Sequence, residues 1–190
     1  MANQNLIQDI RNRISDPGRT FLETGDGRIF TYGDTLALAG RLANSLRALG
    51  LQPGDRVAVQ VEKSAEALVL YLAVVAAGAV YLPLNTGYTL AELEYFIGDA
   101  EPRIVVCRPE SAAGLAPLAG RLGVAHCLTL GTEGDGTLMT QAASAPPELS
   151  IVPRAAHDLA AVLYTSRTTG RSKGAMLTHR NLLSNALTLV

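Results

Sequence analysis

Tryptophan is absent from this chain of 190 residues, and aromatic residues make up only 5% of it. A surface that stacks nucleic-acid bases needs exposed rings, so a base-stacking platform is excluded. An excess of charge is lacking too: 16 basic side chains stand against 17 acidic ones, for a formal net charge of −1. That balance excludes nucleic acid as the main partner and a polybasic grip on a membrane. Cysteine occurs twice, at Cys107 and Cys127. Two cysteines form neither a disulfide framework nor a metal cluster, and they read as two buried thiols in a reducing cytoplasm. Lysine is equally scarce, because the basic residues are fourteen arginines and only Lys63 and Lys173. Each lysine is therefore worth locating.

Targeting signals are missing as well. The start, Met1 to Asp9, has no basic region and no long apolar run, so it is not a secretory leader. One stretch approaches a membrane span: Ala67–Leu84 runs 18 residues without a charge. It is rich in weakly apolar alanine, and Gly78 and Pro83 interrupt it. Ser64 before it has the chemistry of a helix N-cap. The stretch therefore reads as a buried helix over Ser64–Ala77, a turn at Gly78 and a short strand Val80–Leu82.

What is present is a globular composition with 48% hydrophobic residues. A chain of this length buries roughly 70% of its unfolded surface when it folds. Leu6, Ile7, Ile10 and Ile14 form one stripe of a helix over Asn3–Ile14. Gly25-Asp26-Gly27 joins two short strands, Thr20–Thr24 and Arg28–Phe30, as a hairpin. Thr31 with Asp34 opens a helix that stops at Gly50, and Thr89 with Glu92 opens another that runs to about Asp99. Strands at Arg56–Val61, Arg103–Cys107 and Val124–Leu130 alternate with these helices and with Ser111–Leu122, which Pro117 weakens. That rhythm predicts an α/β fold with a largely parallel sheet flanked by helices. Gly131–Pro153 reads as a connection holding one short helix at Leu138–Ala143. Strands Leu159–Thr165 and Ala175–Thr178 and a helix Asn181–Val190 follow. The chain stops inside that helical pattern with no C-cap, which gives it the look of a cut sequence.

The chemistry-bearing stretch lies between the last two strands. Thr165–Ser172 holds five hydroxyl side chains, Thr165, Ser166, Thr168, Thr169 and Ser172, each able to donate to an anionic oxygen. Gly170 and Gly174 permit positive φ and close backbone approach. Lys173 adds a mobile point charge, and Arg167 and Arg171 add others. Hydroxyls, backbone N–H groups and a lysine together describe a polyphosphate cradle. The bland alternative is a solvated Ser/Thr/Gly loop, and the placement of one of only two lysines inside it favours the cradle. A Walker A loop does not fit, because Gly174 rather than Ser or Thr follows Lys173. No paired carboxylates, metal ligands or Ser-His-Asp set stands out. His126, His157 and His179 are expected at the surface or in capping roles.

At this loop the sequence resembles the adenylate-forming acyl-CoA synthetases. Their signature, Tyr-Thr-Ser-Gly-Thr-Thr-Gly-x-x-Lys-Gly, is matched by Tyr164–Gly174 at every specified place but one. Leu177-Thr178-His179-Arg180-Asn181-Leu182 is also typical of the family. A second block, Ala-Gly-x-x-Tyr-x-Pro-Leu-Asn, is matched by Ala77–Asn85. Tyr88-Thr89-Leu90, Glu92-Leu93 and Asp99-Ala100-Glu101-Pro102 continue the likeness. Glu62-Lys63-Ser64, Ala67–Leu72 and Leu82–Asn85 look most like the bacterial malonyl-CoA synthetases.

The resemblance implies an incomplete N-terminal domain of the adenylate-forming fold, residues 1–190 being a partial AMP-binding domain. It implies an ATP-dependent acid–thiol ligase with Mg2+-ATP, CoA and a carboxylic acid, malonate, as its small-molecule substrates. Thr165, Ser166, Thr168, Thr169 and Gly170 would hold the β- and γ-phosphates, and Lys173 would neutralise charge. No catalytic residue and no metal ligand is carried over to this stretch, because the family's adenine-binding motifs, acid pocket and catalytic lysine lie further on. Arg167 is the departure: the family has glycine there, and arginine adds bulk and penalises positive φ. A non-catalytic binding or dimerising remnant is the alternative reading. No membrane partner is expected, and the oligomeric state stays open.

Overall fold

The short polar residues ahead of the apolar runs set where the helices begin. In a computed structural model, which describes residues 3–165 and 173–188, Asn5 caps α1 (Leu6–Asn12) by accepting from Ile7 N–H. The helix starts later than Asn3 because the Asn5 side chain takes up that N–H. Strands β1 (Thr20–Glu23) and β2 (Ile29–Thr31) form the expected antiparallel hairpin. Helix α2 (Tyr32–Ala48) follows, and both halves of the Thr31/Asp34 capping box are made. Helix α3 (Ala65–Ala76) is capped by Ser64 and turned by Gly78 at φ 74°. Thr89 and Glu92 close the capping box of α4 (Leu90–Ala100). A 3-10 turn at Pro109–Ser111 leads into α5 (Ala112–Arg121), which carries Pro117 within it.

Around these helices run β3 (Arg56–Gln60), β4 (Val80–Pro83), β5 (Ile104–Cys107), β6 (His126–Thr129), β7 (Leu159–Thr165) and β8 (Lys173–Thr178). They form one six-stranded sheet in the order β6-β5-β3-β4-β7-β8. All neighbours are parallel except β7 and β8, which are antiparallel. The central strands are buried on both faces, as parallel strands between helix layers must be. Val57 and Val59 of β3 face a core with α2, α3 and the short α6 (Thr137–Ala142). Ala58 faces the other core, built on Leu93, Phe96 and Ile97 of α4 and Leu115 and Leu118 of α5. The helices that follow β3 and β4, α3 and α4, therefore lie on opposite faces, and the carboxyl edge at such a point is where open α/β sheets bind ligands. Among the described residues no helix is long and apolar enough to cross a membrane.

Three local expectations need correction. Strand β8 begins at Lys173, not Ala175, because Lys173 and Gly174 pair across the ladder with Thr165 and Tyr164. The last helix, α7 (His179–Thr188), starts at His179. There Thr178 and Asn181 cap each other: Asn181 N–H donates to Thr178 Oγ1, and Thr178 N–H donates to Asn181 Oδ1. Of the two roles expected of His179, surface or capping, it takes the second and is 1% exposed. Its Nδ1 accepts the Leu6 N–H at 3.1 Å, so it caps a helix from the far end of the chain. Burial, reinforced by nearby Arg154, holds its pKa below the ordinary value, which keeps the ring neutral and Nδ1 free to accept. Cys107 is a buried free thiol, whereas Cys127 is only half-buried.

Candidate phosphate loop

The first two residues of the signature, Tyr164 and Thr165, end strand β7 at the carboxyl edge of the sheet. Strand β7 lies parallel to β4, with Tyr81 opposite Ala161, so Thr165 sits at the same edge as the loops after β3 and β4. Strand β8 returns antiparallel, and the pairs Tyr164↔Gly174 and Thr165↔Lys173 close the base of the loop. Two of the seven candidate residues are thus placed: Thr165 at the end of β7, and Lys173 opposite it with an exposed side chain. Ser166, Arg167, Thr168, Thr169 and Gly170 lie outside the described residues.

Gly174 is needed here for closeness rather than for positive φ. It lies in a strand, and a Cβ on it would come 2.8 Å from Val162 Cγ1 and 3.6 Å from the Tyr164 ring. The Tyr164 ring therefore lies over the glycine opposite it. On its other side it meets Phe96 of α4, with ring centroids 4.6 Å apart. Phe96 in turn contacts Tyr88 at 4.7 Å and Tyr95 at 5.3 Å. The Tyr164 hydroxyl donates to Asp99 Oδ2. Burial first, and the carboxylate second, push the phenol pKa up, so the hydroxyl keeps its proton. Sequence reasoning missed the parts that Phe96 and Asp99 play, because only the fold brings α4 against β7.

The neighbouring loops are fixed by hydrogen bonds. Gln60 Nε2 donates to Asn85 O at 3.0 Å, tying the end of β3 to the loop after β4. Arg108 reaches Glu62 at 3.0 Å and Thr86 O at 3.3 Å, so one guanidinium links the loops after β3, β4 and β5. Among the described residues no group of three or more His, Cys, Asp or Glu is placed to hold a metal ion.

A model of the AMP-binding enzyme family matches residues 11–190. The chain belongs to the AMP-binding enzyme family. Its similarity to a feruloyl-CoA synthase of Amycolatopsis is 36% identity over 192 residues, covering all of this chain and 36% of that protein. Tyrocidine synthase 3 of Brevibacillus parabrevis is 33% identical over 156 residues, or 81% of this chain and 2% of that one. Among solved structures, apo MatB from Rhodopseudomonas palustris superposes with a TM-score of 0.96 at 56% identity, covering 100% of this chain and 37% of MatB. Its ATP-bound form matches equally well, with the same score, identity and coverage. The α/β fold with a mostly parallel sheet is thus that of the N-terminal part of the adenylate-forming enzymes. The chain spans little more than a third of the length of these CoA-ligase relatives, 36% of the feruloyl-CoA synthase and 37% of MatB.

Proposed function

We propose that residues 1–190 are the opening part of the AMP-binding domain of an ATP-dependent acid–thiol ligase, and that Tyr164–Gly174 is its polyphosphate loop. In this reading a carboxylate attacks the α-phosphate of Mg2+-ATP, pyrophosphate leaves, and the CoA thiol then displaces AMP to form the thioester. Thr165, Ser166, Thr168, Thr169 and Gly170 hold the β- and γ-phosphates, and Lys173 offsets the charge that grows on the leaving pyrophosphate. The observation that supports the reading is the signature in the sequence, whose first residues end β7 of the largely parallel sheet with Lys173 paired opposite Thr165. Malonate as the acid is supported by the Glu62-Lys63-Ser64 and Leu82–Asn85 stretches that resemble the bacterial malonyl-CoA synthetases. A cytoplasmic site of action accords with the two free thiols.

Arg167 favours a second reading, in which the fold is kept as a non-catalytic module. A chimera separates the two: this chain replaces the matching N-terminal segment of MatB, and malonate-dependent ATP–pyrophosphate exchange is measured. The ligase reading expects exchange that rises with Arg167→Gly and collapses with Lys173→Ala. Absence of exchange in both the native and Arg167→Gly chimeras, with the fold intact, would favour the non-catalytic module. The isolated chain, given malonate, Mg2+-ATP and hydroxylamine, is expected to form no hydroxamate above a Lys173→Ala control.

A further inference from the structure

The base of the candidate phosphate loop is held by a helix that contributes no residue to the signature. Tyr164, the first residue of the signature, is fixed on three sides. Gly174 lies under its ring, where a Cβ would come 3.6 Å away. Phe96 packs against the ring with centroids 4.6 Å apart and planes tilted by 46°. Asp99, one turn further along α4, accepts its hydroxyl proton. Phe96 is buried in the core shared by β3, β4, β5, α4 and α5, so it ties the strand end to a rigid body. Tyr164 is followed at once by Thr165, the first hydroxyl of the candidate cradle. A shift of the ring would move that residue, and its partner Lys173 across the ladder, together.

We propose that Asp99 is a positioning residue for phosphate binding: by holding the Tyr164 hydroxyl it fixes the end of β7 from which the loop departs. The proposal rests on the reading of Tyr164–Gly174 as a phosphate loop. It makes a prediction opposite in sign to simple electrostatics. Asp99 carries a negative charge, so deleting it should favour an anionic ligand if charge alone mattered. Positioning requires the reverse.

The test is calorimetric titration of the full chain with magnesium pyrophosphate, which engages only the phosphate part of the site. The native chain and an Arg167→Gly background are both used. Asp99→Ala is expected to weaken binding by about three- to tenfold, the scale of one net hydrogen bond at an exposed site. Asp99→Asn keeps an acceptor oxygen and is expected to restore most of that loss. Tyr164→Phe should weaken binding to the same extent, and the Asp99→Ala/Tyr164→Phe double variant should be no worse than either single one. The thermal midpoint of Asp99→Ala should fall by only about 1–4 °C, because the carboxylate is exposed and one hydrogen bond is lost. Unchanged or tighter binding by Asp99→Ala, in a chain where Lys173→Ala still weakens it, overturns the proposal and leaves the phosphate-loop reading standing. If Lys173→Ala leaves affinity unaltered, or neither parent binds pyrophosphate, the phosphate-loop reading has failed and this proposal falls with it.

Discussion

Replacing Gly40 by alanine sets two effects of known sign against each other. Gly40 lies inside α2, where alanine is favoured over glycine by about 1 kcal/mol. Propensity alone therefore expects stabilisation. The structure expects the reverse, because the Pro146–Glu148 segment of the β6–β7 connection is laid directly on this helix. A Cβ at position 40 would stand 2.0 Å from Pro147 O and 2.6 Å from Pro147 C. The segment must move away by more than an ångström, and its anchors move with it. Asn44 Nδ2 donates to Pro146 O at 2.9 Å and to Glu148 O at 3.1 Å. Arg41 donates to Ala145 O at 2.7 Å. Forced overpacking costs about 1–3 kcal/mol. Each exposed anchor that is lost costs about 0.5–1 kcal/mol more. With the propensity gain subtracted, a net loss of about 2 kcal/mol is expected, which for this chain length lowers the thermal midpoint by about 4–8 °C. Gly120 is the control, a helical glycine of α5 with nothing within 4 Å of a would-be Cβ. Gly120→Ala should raise the midpoint slightly. Thermal unfolding followed by far-UV circular dichroism reads both. If Gly40→Ala stabilises as Gly120→Ala does, the connection is not seated on α2 and the packing described above is wrong.

Two further outcomes follow from buried polar groups. His179 titrates below its unfolded value of 6.5 in the folded chain. The unfolded state therefore binds the proton first: stability is fully present above about pH 6.5 and falls as the pH drops below it. Thermal midpoints measured from about pH 7.5 down to about pH 5 should show that slope, and His179→Leu should lose part of it; an unchanged slope would mean that other groups set the acid limit. Glu66 is 4% exposed and pairs with Arg28 at 2.6 Å, while its second oxygen has no partner among the described residues. Arg28→Met should lower the midpoint, and adding Glu66→Gln should recover part of the loss, because a neutral amide tolerates burial better than an unpaired carboxylate. Equal midpoints for native and Arg28→Met would show that the pair contributes nothing.

The parts of the fold that were legible in the sequence are those set by neighbours along the chain. The capping boxes at Thr31 and Thr89 and the N-cap at Ser64 formed as expected, because each needs only residues three apart. The strand–helix alternation gave the parallel sheet, since Val57–Val59 and Ile104–Cys107 are apolar on both faces. What was not legible depends on distant partners. The early start of β8 is set by pairing with β7. The burial of His179 is set by α1, 173 residues away in the chain. The site divides in the same way. Its hydroxyls and lysine stand in one run of sequence and could be read there. The support that Asp99 gives to Tyr164 spans 65 residues and exists only once α4 packs on β7.

Binding of the phosphates of ATP by Tyr164–Gly174 is the claim on which the rest depends, and titration calorimetry with Mg2+-ATP decides it. Three proteins are compared: the native chain, Arg167→Gly, which restores the family residue, and Lys173→Ala, which removes the lysine. Arg167→Gly is expected to bind more tightly than the native chain, and Lys173→Ala more weakly, by about tenfold for the loss of one charge-assisted contact. Identical affinities for all three proteins would contradict the claim and return the loop to a solvated connection between β7 and β8.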